Sequence, residues 1–400
     1  MAPHSTWKLC PARCGETTRV KLLERTQNIA VQKAKGLEPE WRRLAERRGN
    51  AFLTPDWSRC WFEHYGEEAI PFNHPLRAAN GRLRGVLPLA IGRSGHPRVC
   101  RITGSNLGDR FHPVCEPSDE LEVAAAAGEA LASTAEPWSV LSLDHVEVER
   151  PWVTALAEAT GLRLTTREHA EEHLPLIDIA RHSGWDDYLA SRSSNFRQQI
   201  RRYRRRAAKK HSLRIRRTER PEDLGRDIDV FFDLHDRRQA SHGESSLTSP
   251  RARAFHADFA AAALKSGWLR LWFLELDERT VASFYGWRLG NRYAYYNSGF
   301  DPDWSHLSPG FVLLSAVIES AFEEGATEFD FLQGDEPYKF RFAERSRSVS
   351  NLSVARSLPH PASLVATAEQ GARRIGRHIP GPAQRKLGLT RSSLLSGKGR

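Results

Sequence analysis

The sequence predicts an α/β (α+β) protein made of two successive units, each a mixed, mostly antiparallel sheet flanked by helices. Three observations carry this. Residues 268–300 hold three strand-like runs, WLRLWFLEL (268–276), TVASFYGWRL (280–289) and YAYYNSGF (293–300), rich in aromatic and β-branched residues and separated by tight turns. After Ser308-Pro309-Gly310 comes an apolar helical run at 311–324, and then FDFLQGDEPYKFRF at 329–342, where Phe329 and Phe331 alternate with Asp330 as in a strand. The same order occurs upstream: AIPFNHPLRA, a turn at Ala79-Asn80-Gly81, RLRGVLPLAIG, RVCRITGS, an alanine-rich helix at 119–134 and a strand at 138–146. Gly104 to Asp109 takes the place that Ser298 to Asp301 takes downstream. Residue identity between the units is slight, so the repetition is one of architecture. Two separate sheets are expected, one from 68–104 with 138–179 and one from 212–218 with 268–355.

Taken in order, residues 1–40 are polar, without clear periodicity, and read as a flexible arm. The segment 41–66 reads as helix, break and helix, with Thr54 suited to a cap and Pro55 to the first turn. A helix near 151–159 and strands near 162–168 and 173–179 complete the first unit, which spans 41–182. The second, 183–358, opens on a basic helix in which Leu189, Phe196, Ile200, Tyr203 and Ala207 form one apolar stripe. Leu358-Pro359-His360-Pro361 then breaks the fold, leaving a basic, flexible tail at 359–400.

Charge is focused. The net charge is +10, yet residues 192–217 contain twelve Lys/Arg and no acid, and 366–400 contain eight against the single Glu369. These segments either form solvated faces or meet an anion, such as a CoA phosphate, a nucleic acid backbone or anionic lipid, as weak polyanion sites. A mean hydropathy of −0.54 and the lack of an 18-residue apolar run predict no transmembrane segment, and a cytoplasmic location is expected. The five cysteines lack a paired metal-ligand spacing, so reduced thiols and no metal are expected. Phosphate-binding, dinucleotide, zinc-protease and serine-hydrolase motifs are absent from the sequence. The eleven tryptophans fall within strand and helix patterns, which suits packing better than sugar stacking.

The blocks SRSSNFRQQIRRYRRR, GFDPDWSHLSPG and DFLQGDEPYKFRF, spread over 183–355, resemble the CelD/BcsL-like acetyltransferases with a BioF2-like GNAT domain, and more distantly the FemAB-type aminoacyl transferases. The resemblance implies tandem GNAT-like (acyl-CoA N-acyltransferase) units, the first degenerate and the second carrying the site. It implies acetyl-CoA or another acyl-CoA as co-substrate. Acyl transfer from a thioester needs backbone N–H groups from a splayed strand pair and a helix N-terminus for the pyrophosphate. Those roles fall to Tyr295 and Asn297 on the 293–299 strand and to Ser308, Gly310 and Phe311 at the helix start. The loop departs from the usual glycine-rich pattern, since it has one glycine and a proline without an N–H.

Tyr338 stands where many GNAT enzymes place the tyrosine that returns a proton to the leaving thiolate, with Lys339 beside it. Asp330 is either a buried structural acceptor or a base or substrate-amine ligand. Asp335 and Glu336 read as helix-start residues. His235, Glu244 and Asp301 are candidates for the acceptor side. The leading expectation is transfer of an acyl group, acetyl first, to an amine or hydroxyl of a small-molecule or glycan acceptor, in polysaccharide or cell-envelope biosynthesis. Alternatives are a FemAB-like, aminoacyl-tRNA-dependent transferase and a non-catalytic binding module of exopolysaccharide assembly.

Overall fold

The computed structural model describes residues 36–356 except 96, 162–163, 169–170, 241–246 and 248; the readings made for residues 1–35 and 357–400 lie outside these. The chain opens with α1 (Glu38–Arg48) and α2 (Pro55–Tyr65). The break falls where the sequence places it. Thr54 accepts a hydrogen bond from Trp57 N at 3.1 Å and Pro55 occupies the first turn. Strands β1 (Ala69–Arg77) and β2 (Leu83–Gly92) form the hairpin around Asn80-Gly81, with Gly81 at φ 81°. Then follow β3 (Val99–Ile102), β4 (Val114–Cys115), α3 (Glu120–Ser133), β5 (Val140–Glu147), α4 (Pro151–Ala159), β6 (Leu164–Glu168) and β7 (Glu172–Ile177).

The second half contains α5 (Trp185–Ser191), α6 (Ser194–Lys210), β8 (Leu213–Arg217), α7 (Pro221–Gln239), α8 (Pro250–Lys265), β9 (Leu269–Leu276), β10 (Arg279–Leu289) and β11 (Arg292–Phe300). A 3-10 turn (Pro302–Leu307), α9 (Pro309–Glu323), β12 (Glu328–Asp330), α10 (Pro337–Phe342) and β13 (Arg345–Arg356) complete it. The apolar stripe from Leu189 to Ala207 is split between two helices. Ser193 accepts from Phe196 N at 3.3 Å and starts α6 anew, so Leu189 belongs to α5. Phe196, Ile200 and Ala207 are buried as expected.

The fold is mixed α/β, with a mostly antiparallel sheet flanked by helices on both faces. The two sheets are not separate. One hydrogen-bonded path runs β1-β2-β3-β5-β13-β7-β12-β11-β10-β9-β8. The joint is an exchange of strands: β13, from the second half, lies between β5 and β7 of the first, and β7 lies between β13 and β12. The expectation of two sheets is corrected by these pairings, which leave no free edge between the halves.

One face of the sheet carries a core shared by both halves, in which Trp57 meets Phe255 and Phe259 edge-on, each at 4.8 Å between ring centroids. The other face packs under α5, α6 and α9. No helix among the described residues is long and apolar enough to cross a membrane.

A buried ion network pins the joint. Asp330, 4% exposed, accepts from Leu332 N at 2.8 Å and faces Arg347 of β13 at 3.2 Å and Arg110 of the first half at 3.8 Å. Arg347 also pairs with Glu328. Burial raises the Asp330 carboxyl and the two guanidinium groups oppose that rise. Removing the carboxylate would leave buried Arg110 with only Glu147 at 4.0 Å, and Arg347 with Glu328 alone. Asp330→Ala is therefore expected to destabilise the chain by about 3–5 kcal/mol, read from the urea unfolding midpoint. A loss below about 1 kcal/mol, the range of an exposed pair, would show that the network does not hold the joint.

Candidate active site

β11 and β12 run parallel for only three residue pairs, Arg292 with Glu328, Tyr293 with Phe329 and Ala294 with Asp330. Beyond Ala294 the strands part and a cleft opens beside β11. Within β11 the register against β10 slips: Gly286 opposes Tyr295 and Tyr285 opposes Asn297, so Tyr296 is the extra residue of a bulge. The bulge shifts the side-chain alternation by one. Tyr295, Ser298 and Phe300 come to line one cavity of about 240 Å³, together with Ser308, Gly310, Phe311 and Leu314 at the start of α9 and Tyr338 of α10. Tyr296 turns to the opposite core, where its hydroxyl donates to Leu107 O at 2.8 Å. Asn297 does not line the cavity; its Oδ1 accepts from Ser298 N at 2.8 Å.

Gly299 explains how α7 reaches this cavity. A Cβ there would lie 2.4 Å from His235 N, so only glycine lets the helix approach the strand. Arg238, one helical turn beyond His235's neighbour Leu234, thereby enters the cavity wall. Its guanidinium donates to Ser298 Oγ at 2.7 Å and lies 3.9 Å from Glu336. The Ser298 and Tyr295 hydroxyls are 2.6 Å apart, and those of Tyr295 and Tyr338 are 3.0 Å apart. Arg238 and Tyr338 line the same cavity. Burial, with Tyr295 and Glu336 adding to it, lifts the Tyr338 phenol well above its usual range, while Arg238 opposes that shift. At neutral pH this phenol keeps its proton and can give it away.

Lys339 is buried beside the cavity. Its Nζ donates to Gln333 O at 2.7 Å and to Glu336 at 3.0 Å, and lies 5.7 Å from the centre of the Tyr295 ring. On its far side Asp109, from the first half, accepts from Gln333 N at 3.4 Å. Burial pushes the Asp109 carboxyl up to about 7, against the pull of Lys339 and the Gln333 N–H.

At the mouth of the cavity, Ser308 adopts left-handed backbone at φ 54° and makes no side-chain cap. Pro309 lacks an N–H, and the Phe311 and Val312 N–H groups both go to Ser308 O at 3.1 Å. Gly310 is left to present a first-turn N–H to a ligand. Alongside, Tyr203 of α6 packs on Phe311 at 5.5 Å, and Arg202 and Arg206 flank the Tyr203 ring.

The structure thus brings together Tyr338, Lys339, Tyr295, Ser308, Gly310 and Phe311. Asp330 lies behind them in the ion network described above. His235 is fully buried, with Nδ1 3.2 Å from Ser298 O, and burial lowers its pKa. Asp301 lines a different, open hollow beside Trp304 and His211, and pairs with Arg237 at 3.3 Å. Glu244 lies outside the described residues. Arg238, Ser298, Gln333 and Asp109 were not singled out for chemistry from sequence; the bulge and the meeting of the halves put them in place. Among the described residues, no group of three or more His, Cys, Asp or Glu could hold a metal ion.

Residues 194–340 match the family profile described as an acetyltransferase (GNAT) domain. No curated protein matches the sequence. Among solved structures, FemX aligns at a TM-score of 0.59 with 12% identity, covering 79% of this chain and 95% of that one. The C-terminal DUF2156 domain assigned to a lysylphosphatidylglycerol synthetase from Agrobacterium fabrum aligns at 0.51 with 11% identity, covering 82% and 94%. L-PGS from Bacillus licheniformis aligns at 0.50 with 14% identity, covering 85% and 97%. At these identities the likeness concerns the fold, and the domain match concerns the half that holds the cavity. Residues 194–340 form a GNAT-type domain, and the chain is an acyltransferase built on the GNAT fold.

Proposed function

We propose that the chain moves an acyl group from an acyl-CoA to an amine or hydroxyl acceptor, with the second half carrying the donor and the first half shaping the acceptor side. The observation that carries this reading is the cavity between β11 and the start of α9, walled at its inner end by the Tyr295 and Tyr338 hydroxyls. The thioester end of the donor sits against Tyr338, which protonates the departing thiolate. Gly310 N–H and the arginines around Tyr203 take the donor phosphates. The acceptor enters near Asp109, whose carboxyl, ionising near neutral pH, can take the proton of an incoming ammonium. Asp330 is the structural alternative of its two expected roles. The domain division at about 182, the CelD/BcsL-like affiliation and an envelope or polysaccharide acceptor form part of this proposal, the last by analogy of family alone.

A second reading has two observations in its favour. The start of α9 offers a phosphate only one N–H, and α6 presents Arg201, Arg202 and Arg205 at the surface. The similarity of the fold to FemX is compatible with an aminoacyl-tRNA donor.

Tyr338→Phe is expected to lower turnover by roughly 10²–10⁴-fold with donor affinity nearly unchanged, and Lys339→Ala to weaken donor binding; full activity in both would remove this site from consideration. Salt separates the two donors. Acetyl-CoA should bind with a shallow dependence on ionic strength, whereas tRNA held by about 6–10 phosphate contacts would lose roughly 10³–10⁵ in affinity between 50 and 200 mM salt. Charge reversal at Arg201 and Arg205, which leaves Arg202 and Arg206 beside Tyr203 in place, should spare CoA use. Aminoacyl transfer from charged tRNA that disappears in this double variant, with no transfer from any acyl-CoA, would establish the second reading.

Asp109 makes a separate prediction. Its carboxyl titrates near 7 when folded and near the ordinary 3.8 when unfolded, so between these values the folded chain holds the extra proton. Stability from this group is therefore lost as pH rises from about 4 to about 7, with a slope of up to about 1.4 kcal/mol per pH unit, and is level above that. Asp109→Asn should remove the slope, so its advantage over wild type in urea midpoint grows from pH 5 to 7 and then stops growing. Identical pH dependence in both proteins would place the carboxyl in an ordinary environment.

A further inference from the structure

Four polar groups form a hydrogen-bonded chain in the wall of a largely apolar cavity. Arg238 donates to Ser298 Oγ at 2.7 Å, Ser298 Oγ meets Tyr295 OH at 2.6 Å, and Tyr295 OH meets Tyr338 OH at 3.0 Å, with Arg238 and Tyr338 lining the same cavity. The opposite walls are Phe300, Pro309, Phe311 and Leu314. The elements that contribute are independent: Arg238 from the last turn of α7, Ser298 and Tyr295 from the two sides of the β11 bulge, and Tyr338 from α10. Without the bulge Ser298 would face the other side of the sheet, and without Gly299 the helix carrying Arg238 could not approach.

We propose that Arg238 and Ser298 are positioning residues for the acid of the transfer step: together they hold the Tyr338 phenol aimed into the cavity, and the guanidinium steadies the phenolate that Tyr338 becomes. This rests on the reading of Tyr338 as proton donor. As the tetrahedral adduct collapses, the carbon–sulfur bond breaks, its electron pair goes to sulfur, and the Tyr338 proton goes to the thiolate. The phenolate is made neutral again by the proton that the acceptor nitrogen loses on becoming an amide. A phenolate in an apolar wall is costly without a cation, and Arg238 is the cation at the other end of this hydroxyl chain. The fixed charge also explains why a guanidinium stands in a cavity otherwise suited to an acyl or pantetheine chain. The direction in which Arg238 moves the Tyr338 phenol agrees with that role.

The test follows thiol release from two donors, acetyl-CoA and S-phenyl thioacetate, with hydroxylamine as acceptor. The thiophenolate of the second donor leaves without a proton, so it relieves a defect in proton donation and does not relieve a defect in structure. Arg238→Gln should lower kcat on acetyl-CoA by about tenfold to a hundredfold, the worth of a hydrogen bond to a charged group, with KM within about twofold. Arg238→Lys should recover most of that loss, and Ser298→Ala should show a smaller loss in the same pattern. On S-phenyl thioacetate all three should run close to wild type. Ser298→Ala keeps the test open if Arg238→Gln does not fold.

Wild-type turnover of acetyl-CoA by both Arg238→Gln and Ser298→Ala, with Tyr338→Phe impaired, would overturn this proposal and leave the donor reading standing. An equal deficit on both donors would also overturn it, since it would mark a purely structural role. Tyr338→Phe at the wild-type rate, or a wild-type protein that neither binds CoA nor releases thiol, would overturn the reading of the site and this proposal with it.

Discussion

The molecule depends on the exchange of β13 and β7 across the joint between its halves. β12 is only three residues long and pairs with β11 over that length. A strand this short contributes few ladder bonds and exposes its second edge. β7 covers that edge at Phe329 and Asp330, and β13 covers β7 in turn along Arg345–Val349. The brevity of β12 then has a functional side. Because it stops at Asp330, β11 runs on from Tyr295 without a partner on that flank, and the cleft that becomes the cavity is the space a longer strand would fill. The exchange stabilises an otherwise weak strand without closing the opening beside it.

The bulge at Tyr296 supplies the other half of the design. In a regular strand Tyr293, Tyr295, Asn297 and Gly299 would share a face. With one extra residue inserted, Tyr295 is followed on its face by Ser298 and Phe300, and Gly299 turns toward α7. A single backbone irregularity thus places a hydroxyl in the cavity, clears room for a helix on the reverse side, and lets that helix deliver a guanidinium to the hydroxyl. The same shift sends Tyr296 into the shared aromatic core, where it ties β11 to Leu107 of the first half.

These two features mark where sequence reasoning stops. Local chemistry was readable: Thr54-Pro55 starts α2, Asn80-Gly81 turns the first hairpin, and the β9-β10-β11 meander and α9 lie where their patterns put them. Tyr338, Lys339, Tyr295 and Phe311 were readable too, because they fall in continuous blocks around the strand and helix ends that build the site. The sheet joint was not, since Leu176 pairs with Arg345 across most of the second half and no local pattern encodes the partner of a strand. Asn297 was favoured over Ser298 because strict alternation is the only rule available before a bulge is seen. His235 drew attention over Arg238, three positions on, since a histidine suggests chemistry; the close contact at Gly299 buries the first and exposes the second to the cavity. Ser193, which divides the basic stretch into two helices, is an ordinary N-cap residue whose effect was hidden by the continuous apolar stripe around it.

The electrostatics of the donor end follow from the start of α9. A helix N-terminus attracts phosphate through several free N–H groups acting with the helix dipole. Here Pro309 removes one and the left-handed Ser308 takes up two more through its carbonyl, so the backbone contribution falls to Gly310. Charge for a phosphate must then come from side chains, and α6 stands where it is needed: Tyr203 packs on Phe311, with Arg202 and Arg206 on the Tyr203 ring. On the proposed reading, part of the arginine run at 192–217 would replace what the loop has given up. Side-chain cations on an exposed helix adapt to their ligand more readily than a fixed cradle of amides does. If this end of the cavity receives a donor phosphate, a site so arranged would be less selective for the pyrophosphate of CoA and more tolerant of other anionic carriers, so the same geometry leaves both proposed donor readings physically available.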